Sequence, residues 1–524
     1  MAAAAAPPGE DTAGAAPAGQ QPWWRPVRIR PDVGLVAALA AGAGLRLWGI
    51  GAQSLWYDEW LTTEATAGGL GDVLRHVARR EGITPPYFLV MWVWARLFGD
   101  GEVALRSFSA LCGVATIAVA YGIARELGRS RRVARVAAAL VAVSPMLVWY
   151  SQEARPYSLL ALAGGLSVQA FARARRTGTT RDLTLWAAVA AGAVALHYFV
   201  AFLVAAEAVA LLVERRVAPR RVVRACLPTG AVLLLLVPFA LEQHSHDANR
   251  DWISGFTLTS RLQEAARSAL VGPSLPSPRA WLAVAGVVAV AAGLGAVVAR
   301  GDDRRAAVVL AAVAAVAVGA PLAAAVAGTD VFLGRYVIAA LVPAVVAVAI
   351  GLAAGGVPRW VAPAGVAVVA VASLGTVAAV QRDDELQRAD WRAVAEVVDG
   401  AAGGAPRLLV VNVNGGQSSA LRHYLPGLTV LDGDDAVRVD QVDVLVGTPA
   451  DRPCNMLVGR ACGMVFLGAP LPPATAGSFS VTERIDAGPF AVDRYRSPAP
   501  VAVTRDDLVH EIDRAGAVVW VLPG

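Results

Sequence analysis

Apolar runs of about 17–25 residues recur along most of this 524-residue chain, and short arginine-rich loops separate them. At about 1.5 Å per residue, such a run matches the roughly 30 Å hydrocarbon core of a bilayer. Lipid leaves unpaired backbone groups no water to bond, so a run of this kind must be helical there. Composition agrees: 56% of residues are hydrophobic and the mean hydropathy is +0.53. These features exclude a soluble globular protein. They predict helices near 33–51, 104–126, 134–150, 157–172, 183–197, 198–214, 222–241, 280–299, 305–327, 335–354 and 359–380, eleven in all.

The net charge is +5, and every basic residue is arginine, a bias we assign to the genome's base composition and not to chemistry. The arginines cluster in RPVRIR (25–30), RELGRSRRVAR (125–135), RARRTGTTR (173–181), ERRVAPRRVVR (214–224) and RGDDRR (300–305). Basic loops stay on the cytoplasmic side of a membrane, which explains this clustering better than nucleic-acid binding does. Eleven crossings place all five loops on the side of the N-terminus.

That parity decides two ambiguous stretches. PPYFLVMWVWARLFG (85–99) is read as a juxtamembrane helix in the interface, because a crossing there would move RELGRSRRVAR outside. Conversely, 183–214 must cross twice, with its turn at His197-Tyr198.

The Ala/Pro/Gly-rich residues 1–25 read as a disordered cytoplasmic tail and 26–385 as the membrane domain. Residues 386–524 read as a small extracytoplasmic α/β domain, with strands at 407–413, 442–447, 463–468 and 490–496 and a helix at 418–425. Cys112 and Cys226 belong with the apolar spans, whereas Cys454 and Cys462 lie where a disulfide is allowed.

Polar chemistry sorts by side. Loops 52–103, 151–156, 242–279 and 328–334 carry the acids, histidines and aromatics, so a site would face outward. Ionisable residues at a membrane face are costly and mark function. Asp58 and Glu59 in SLWYDEWLTTEATAG (54–68) are the first of these, although two acids there would also suit a helix N-terminus.

Several motifs together resemble the GT-C glycosyltransferases that use polyprenyl-phosphate sugars. The similarity is to bacterial protein O-mannosyltransferases and lipid A aminoarabinose transferases, of the family-39 type. The carriers are LWYDEW (55–60), TPPYFLVMWVWARLFGDGEVALRSFSAL (84–111), YSQEARPYSLL (150–160), HYF (197–199), GRYVIAALVP (334–343) and ADWRAV (389–394). Thr84 stands where many such proteins have histidine before Pro-Pro.

The resemblance implies a helical bundle with an acidic motif in its first outer loop, on juxtamembrane helices. It implies inverting transfer of a sugar, mannose ahead of arabinose, to a hydroxyl of a lipoglycan, polysaccharide or protein. Partners are then the lipid-linked donor, that acceptor and the bilayer of the cell membrane. A polysaccharide ligase, or a transporter or flippase for lipid-linked sugars, is the alternative.

The reaction needs a base for the acceptor hydroxyl and positive charge for the leaving phosphate. Asp58 is expected to be the base, with Glu59 beside it. Glu153 is expected to bind the acceptor or, with Asp58, a divalent cation such as magnesium or manganese. Arg155, Arg335 and Arg250 are candidates for the phosphate. Tyr57, Tyr150, His197, Tyr198 and Tyr336 would line the pocket. His244, His246 and Asp247 fall in an outer loop that reads as solvated or as a lid. Asp390, Trp391 and Arg392 read as the start of a docking helix.

Overall fold

The computed structural model describes residues 32–81, 84–245, 253, 255–272, 278–328, 332–383, 386–400, 406–412, 418–431, 435–447, 471–472, 475, 477–488, 490–509 and 517–522. The helices run in chain order as α1 (Val33–Leu47), α2 (Tyr57–Ala67), α3 (Leu70–Arg80), α4 (Pro85–Phe98), α5 (Glu102–Glu126), α6 (Arg131–Ala142), α7 (Pro145–Ser151), α8 (Tyr157–Thr177), α9 (Thr180–Leu196), α10 (Val200–Glu214) and α11 (Pro219–Ser245). They continue as α12 (Leu258–Val271), α13 (Pro278–Val298), α14 (Asp302–Val326), α15 (Leu341–Ala353, entered through a 3-10 turn at Gly334–Ala340), α16 (Val361–Arg382) and α17 (Trp391–Asp399).

Each of the eleven apolar runs is helical where the sequence predicts it. By length and composition, five described helices suffice to cross a membrane: α5, α11, α14, the unit Gly334–Ala353 and α16. A sixth span is possible if α6 and α7 count as one, bent by 54°. The bend has a local cause. Ser144 precedes Pro145 and is extended at ψ 118°, as the residue before a proline prefers. Pro145 has no amide to continue the α6 ladder. The turn between α9 and α10 falls at His197–Phe199, and α4 packs on α2, α3 and α5.

The arginine loops meet at one end of the bundle. Arg176 pairs with Glu126 at 2.7 Å and Arg175 with Glu214 at 2.6 Å. Arg221 bonds Thr180, Arg129 pairs with Asp303, and Arg132 bonds the Pro358 and Arg359 carbonyls. Asp32 caps α1 at its Gly34 and Leu35 amides and pairs with Arg135 at 2.7 Å. These contacts gather the α5–α6, α8–α9, α10–α11, α13–α14 and α15–α16 connections beside the start of α1. The arginine loops thus lie together at one end, as the sequence expects. RPVRIR lies outside the described residues.

Beyond α17 the chain forms a six-stranded sheet of order β2-β6-β1-β3-β5-β4. Its strands are β1 (Arg407–Asn412), β2 (Thr429–Val430), β3 (Val437–Gly447), β4 (Ser480–Ala487), β5 (Phe490–Val503) and β6 (Ala517–Leu522). Only β1 and β3 pair in parallel. The expected strands at 407–413, 442–447 and 490–496 lie in β1, β3 and β5, and a short helix occupies Leu421–Tyr424. The expected strand at 463–468 and the pair Cys454/Cys462 lie outside the described residues. Strands β2, β4 and β6 were not anticipated.

One face of the sheet packs Leu409, Val411, Leu445 and Trp520 on Trp391 and Val394 of α17, and that core extends to Trp60 and Leu61 of α2. The first loop and the sheet are therefore one packed body. Ser54 Oγ donates to the Ala389 carbonyl and accepts from the Trp391 amide, and the Leu55 amide donates to Tyr424.

Candidate active site

Asp58 and Glu59 both lie in the first turn of α2, at the end of the bundle opposite the arginine loops. Anions suit a helix N-terminus, yet the two acids have different fates. Glu59 is fully buried. Arg106 of α5 grips it with two hydrogen bonds, of 2.8 and 2.6 Å, and the Ala154 amide donates a third. Burial pushes the Glu59 carboxyl up, but the charge and hydrogen bonds of Arg106 outweigh it and hold the group below the usual range. Arg106 also donates to the carbonyls of Ile50, Gln53 and Ser54. Glu59 is thus closed off from solvent, where Asp58 is not. Both of its oxygens are engaged in fastening loops 50–54 and 152–155 to α2 and α5.

Asp58 keeps 15% of its side chain exposed, with Arg335 Nη1 at 3.5 Å. Arg335, in the 3-10 turn, lies 5.7 Å from the Tyr157 ring and 5.8 Å from the Tyr336 ring. Tyr150 meets Tyr157 edge-on at 4.9 Å, and His197 lies 5.1 Å from Tyr336. Nδ1 of His197 accepts from the Phe199 amide. The structure thus brings Tyr150, Tyr336 and His197 into one aromatic wall around Arg335.

Other expected residues are placed differently. Arg155 forks onto Glu81, with two bonds of 2.8 Å, and also donates to the Asp58 carbonyl at 3.1 Å. It is a strut beneath Asp58, and its fork is not open to a phosphate. Tyr198 donates to Gln243, which itself bonds the Val77 carbonyl, so it points toward α11 and α3 and away from Arg335. Tyr57 is half-buried against Trp60. Arg250, His246 and Asp247 lie outside the described residues, and His244 lies in the last turn of α11.

Glu153 is buried and pairs with Arg388 through Oε2 at 2.8 Å, and Oε1 has no hydrogen-bond partner among the described residues. Sequence reasoning missed Arg388. It sits 4.6 Å from the Trp149 ring and 5.4 Å from the Trp56 ring, and its amide bonds Gln53. Its signal in the sequence is its place, immediately before ADWRAV.

Burial pushes the Glu153 carboxyl up to about 7, against the pull of Arg388. Because this pKa is raised on folding, Glu153 contributes stability at acid pH that is lost as the pH rises from the ordinary carboxylate range through 7. The loss is on the order of 3 kcal/mol. Thermal unfolding followed from pH 5 to 8 is expected to show this decline, and Glu153→Gln to flatten it. A decline unchanged in the variant would assign it to another group.

No group of three or more His, Cys, Asp or Glu side chains suited to a metal occurs among the described residues. Asp58 and Glu153, the expected cation ligands, each face a guanidinium, so this donor set does not fit a divalent cation.

Two cavities adjoin next to Arg335, across Ala265 and Gly334. A small polar one is lined by Tyr150, Arg261, Glu264, Ser268 and Arg335. An apolar one of about 300 Å³ lies between α12, α14 and the 334–344 segment, among Leu262, Ala266, Val318, Phe332, Ile338 and Leu341. Ala265 and Gly334 line both. A Cβ on Gly334 would stand 2.8 Å from the Cα of Ala265, so only glycine lets the two segments close on each other here.

Residues 83–241 match the family described as dolichyl-phosphate-mannose-protein mannosyltransferase. The structure of ArnT from Cupriavidus metallidurans bound to undecaprenyl phosphate superposes on 88% of this chain and 97% of its own, with a TM-score of 0.50 at 13% identity. The fold is that of the ArnT structure. Two further structures are similar at lower scores. AglB from Archaeoglobus fulgidus, in complex with an inhibitory peptide and a dolichol-phosphate, shows 14% identity over 71% of this chain and 58% of its own, at a TM-score of 0.39. The arabinosyltransferase EmbB from Mycobacterium smegmatis shows 16% identity over 73% and 33%, at 0.39. No protein of curated function matches the sequence. Within this fold the acidic first loop, the 334–344 segment and the ADWRAV segment converge at one end of the bundle.

Proposed function

We propose that the chain is a multi-pass membrane glycosyltransferase that moves a sugar from a polyprenyl phosphate to an acceptor hydroxyl outside the cell, with Asp58 as general base. The observation that carries this reading is the Asp58–Arg335 pair, with Arg335 lining a polar cavity and its neighbour Gly334 lining both that cavity and an apolar one. A lipid-borne phosphate ester needs these surroundings: an apolar slot for the chain, a cation for the phosphate and a base on the far side of the sugar.

In this reading the acceptor hydroxyl approaches Asp58, which takes its proton as the new C1–O bond forms. The C1–O bond to phosphate breaks in the same displacement, so one carboxylate suffices and the anomeric configuration inverts. The departing phosphate keeps its charge, and Arg335 stabilises it. The contact of 3.5 Å between Arg335 and Asp58 is long for an ion pair, so a phosphate can compete for the guanidinium. Mannose is the favoured sugar, in line with the family matched over 83–241, and arabinose the second. No step is assigned to a metal. The arginine-rich end faces the cytoplasm and the sheet-bearing unit, drawn at 386–524, faces outward. The transporter alternative gains nothing from Arg46 and Glu207, which are tied by hydrogen bonds to neighbouring helices.

The test uses right-side-out vesicles holding the protein. They are charged with labelled polyprenyl-phosphate mannose, or separately arabinose, and given a lipoglycan acceptor that cannot cross the bilayer. Label is expected in the acceptor with one of the two donors. Absence of transfer with both donors, across lipid, glycan and peptide acceptors, would overturn the proposal.

A further inference from the structure

Arg46 is fully buried in α1, and no carboxylate pairs with it among the described residues. Such a cation in an apolar span demands explanation. Its guanidinium is instead surrounded by backbone. Nη2 donates to the Val141 carbonyl at 3.1 Å, and Nη1 donates to the Ala142 carbonyl at 2.9 Å and the Gly42 carbonyl at 3.0 Å. Nε donates to Ser151 Oγ at 3.1 Å.

Val141 and Ala142 end α6, immediately before the 54° break. In an unbroken helix the Val141 carbonyl would bond the amide of residue 145, which is a proline and has none. The Ala142 carbonyl would bond the amide of Met146, which the break carries out of line. Left alone in an apolar span, these two carbonyls would be costly. Arg46 supplies both missing donors, and its remaining edge holds the far end of α7.

The cap is reciprocal. Gln152, just past α7, donates from Nε2 to the Leu45, Arg46 and Trp48 carbonyls, at 3.2, 3.2 and 2.7 Å, and so closes the end of α1. Space for the bolt comes from two glycines. A Cβ on Gly113 would stand 2.1 Å from Ser151 Oγ and 2.7 Å from Arg46 Nε, and one on Gly42 3.2 Å from Arg46 Nη1.

We propose that Arg46 is a positioning residue that holds the α6–α7 span broken and thereby aims Trp149, Tyr150 and Glu153 at Asp58. It touches no substrate. It acts through α7, whose end carries the Glu153–Arg388 pair and the Tyr150 wall of the polar cavity. The kinetic part of the test rests on the reaction proposed above, whereas the exchange part does not.

The experiment compares Arg46→Met and Arg46→Lys in the full-length protein in nanodiscs, by hydrogen–deuterium exchange and by transfer kinetics. In Arg46→Met, amides of 139–153 are expected to exchange at least tenfold faster, while those of α8 and α9 keep the parental rate. Its kcat is expected to fall at least tenfold with the donor KM within threefold. Arg46→Lys is expected to fall between, because an ammonium can reach the carbonyls but not Ser151 as well; if the methionine variant does not accumulate, the lysine variant gives the reading. Unchanged exchange across 139–153 in the folded variants overturns the inference whatever the activity. Altered exchange in a protein with no transferase activity would count against the proposed function alone.

Discussion

Asp58→Asn is expected to lose about 10²- to 10⁴-fold in kcat, the usual contribution of a positioned general base, while the protein stays folded. The amide has the shape of the carboxyl but cannot take the acceptor's proton. Among the described residues Asp58 has one long ion-pair contact, to Arg335 at 3.5 Å, and part of its surface meets solvent. Loss of this long contact is expected to cost less than loss of the short, fully buried Glu59–Arg106 pair. The variant should therefore unfold near the parental temperature and still bind the donor, since Arg335 and the apolar cavity are intact. Transfer kinetics beside thermal unfolding in detergent decide the matter. Near-parental kcat with a confirmed donor would remove Asp58 from the role of base.

Glu59→Gln, one residue along, is expected to do the reverse and strike the fold first. It leaves Arg106, 1% exposed, without its counter-charge in a closed interior. Breaking a buried pair by neutralising one partner typically costs about 3–5 kcal/mol. The expected result is a lowered unfolding temperature and poor accumulation, with activity per folded molecule reduced far less than in Asp58→Asn. The pH dependence has the matching sign. The folded carboxyl of Glu59 is held low, so its stabilisation is complete above the ordinary carboxylate range and is lost as the pH falls through the depressed value. The parent should lose stability in acid along a limb that Glu59→Gln lacks. Parental stability in the variant would refute the anchoring role.

The contrast between neighbours shows what a sequence reveals and what it hides. Arginine-rich loops and apolar run lengths were enough to fix eleven helices and to put the basic loops at one end, because hydrophobic length and charge are local quantities. The fate of Glu59 was not local. Its partner Arg106 lies 47 residues away and the Ala154 amide 95 residues away. Arg155 shows the same, since Glu81, which occupies its fork, is 74 residues distant. Arg388 and Glu153 are 235 residues apart, and neither segment announces the other. The apolar run AVVWVL (517–522) was legible as a strand and was passed over. Ser480–Ala487 was harder, because an edge strand with mostly exposed side chains lacks alternation.

The shared core of the sheet and α2 has a consequence for biosynthesis. Trp60 and Leu61 leave the ribosome long before Trp520 and Leu522 of β6, yet the four pack in one cluster, and β6 pairs with both β1 and β2 within the sheet. Arg388 likewise arrives long after Glu153 has been threaded into place. A chain interrupted between residues 400 and 517 therefore keeps its helices but lacks part of the wall against which α2 is set. The setting of Asp58 is completed only once the late-made segment has come back to meet the early one.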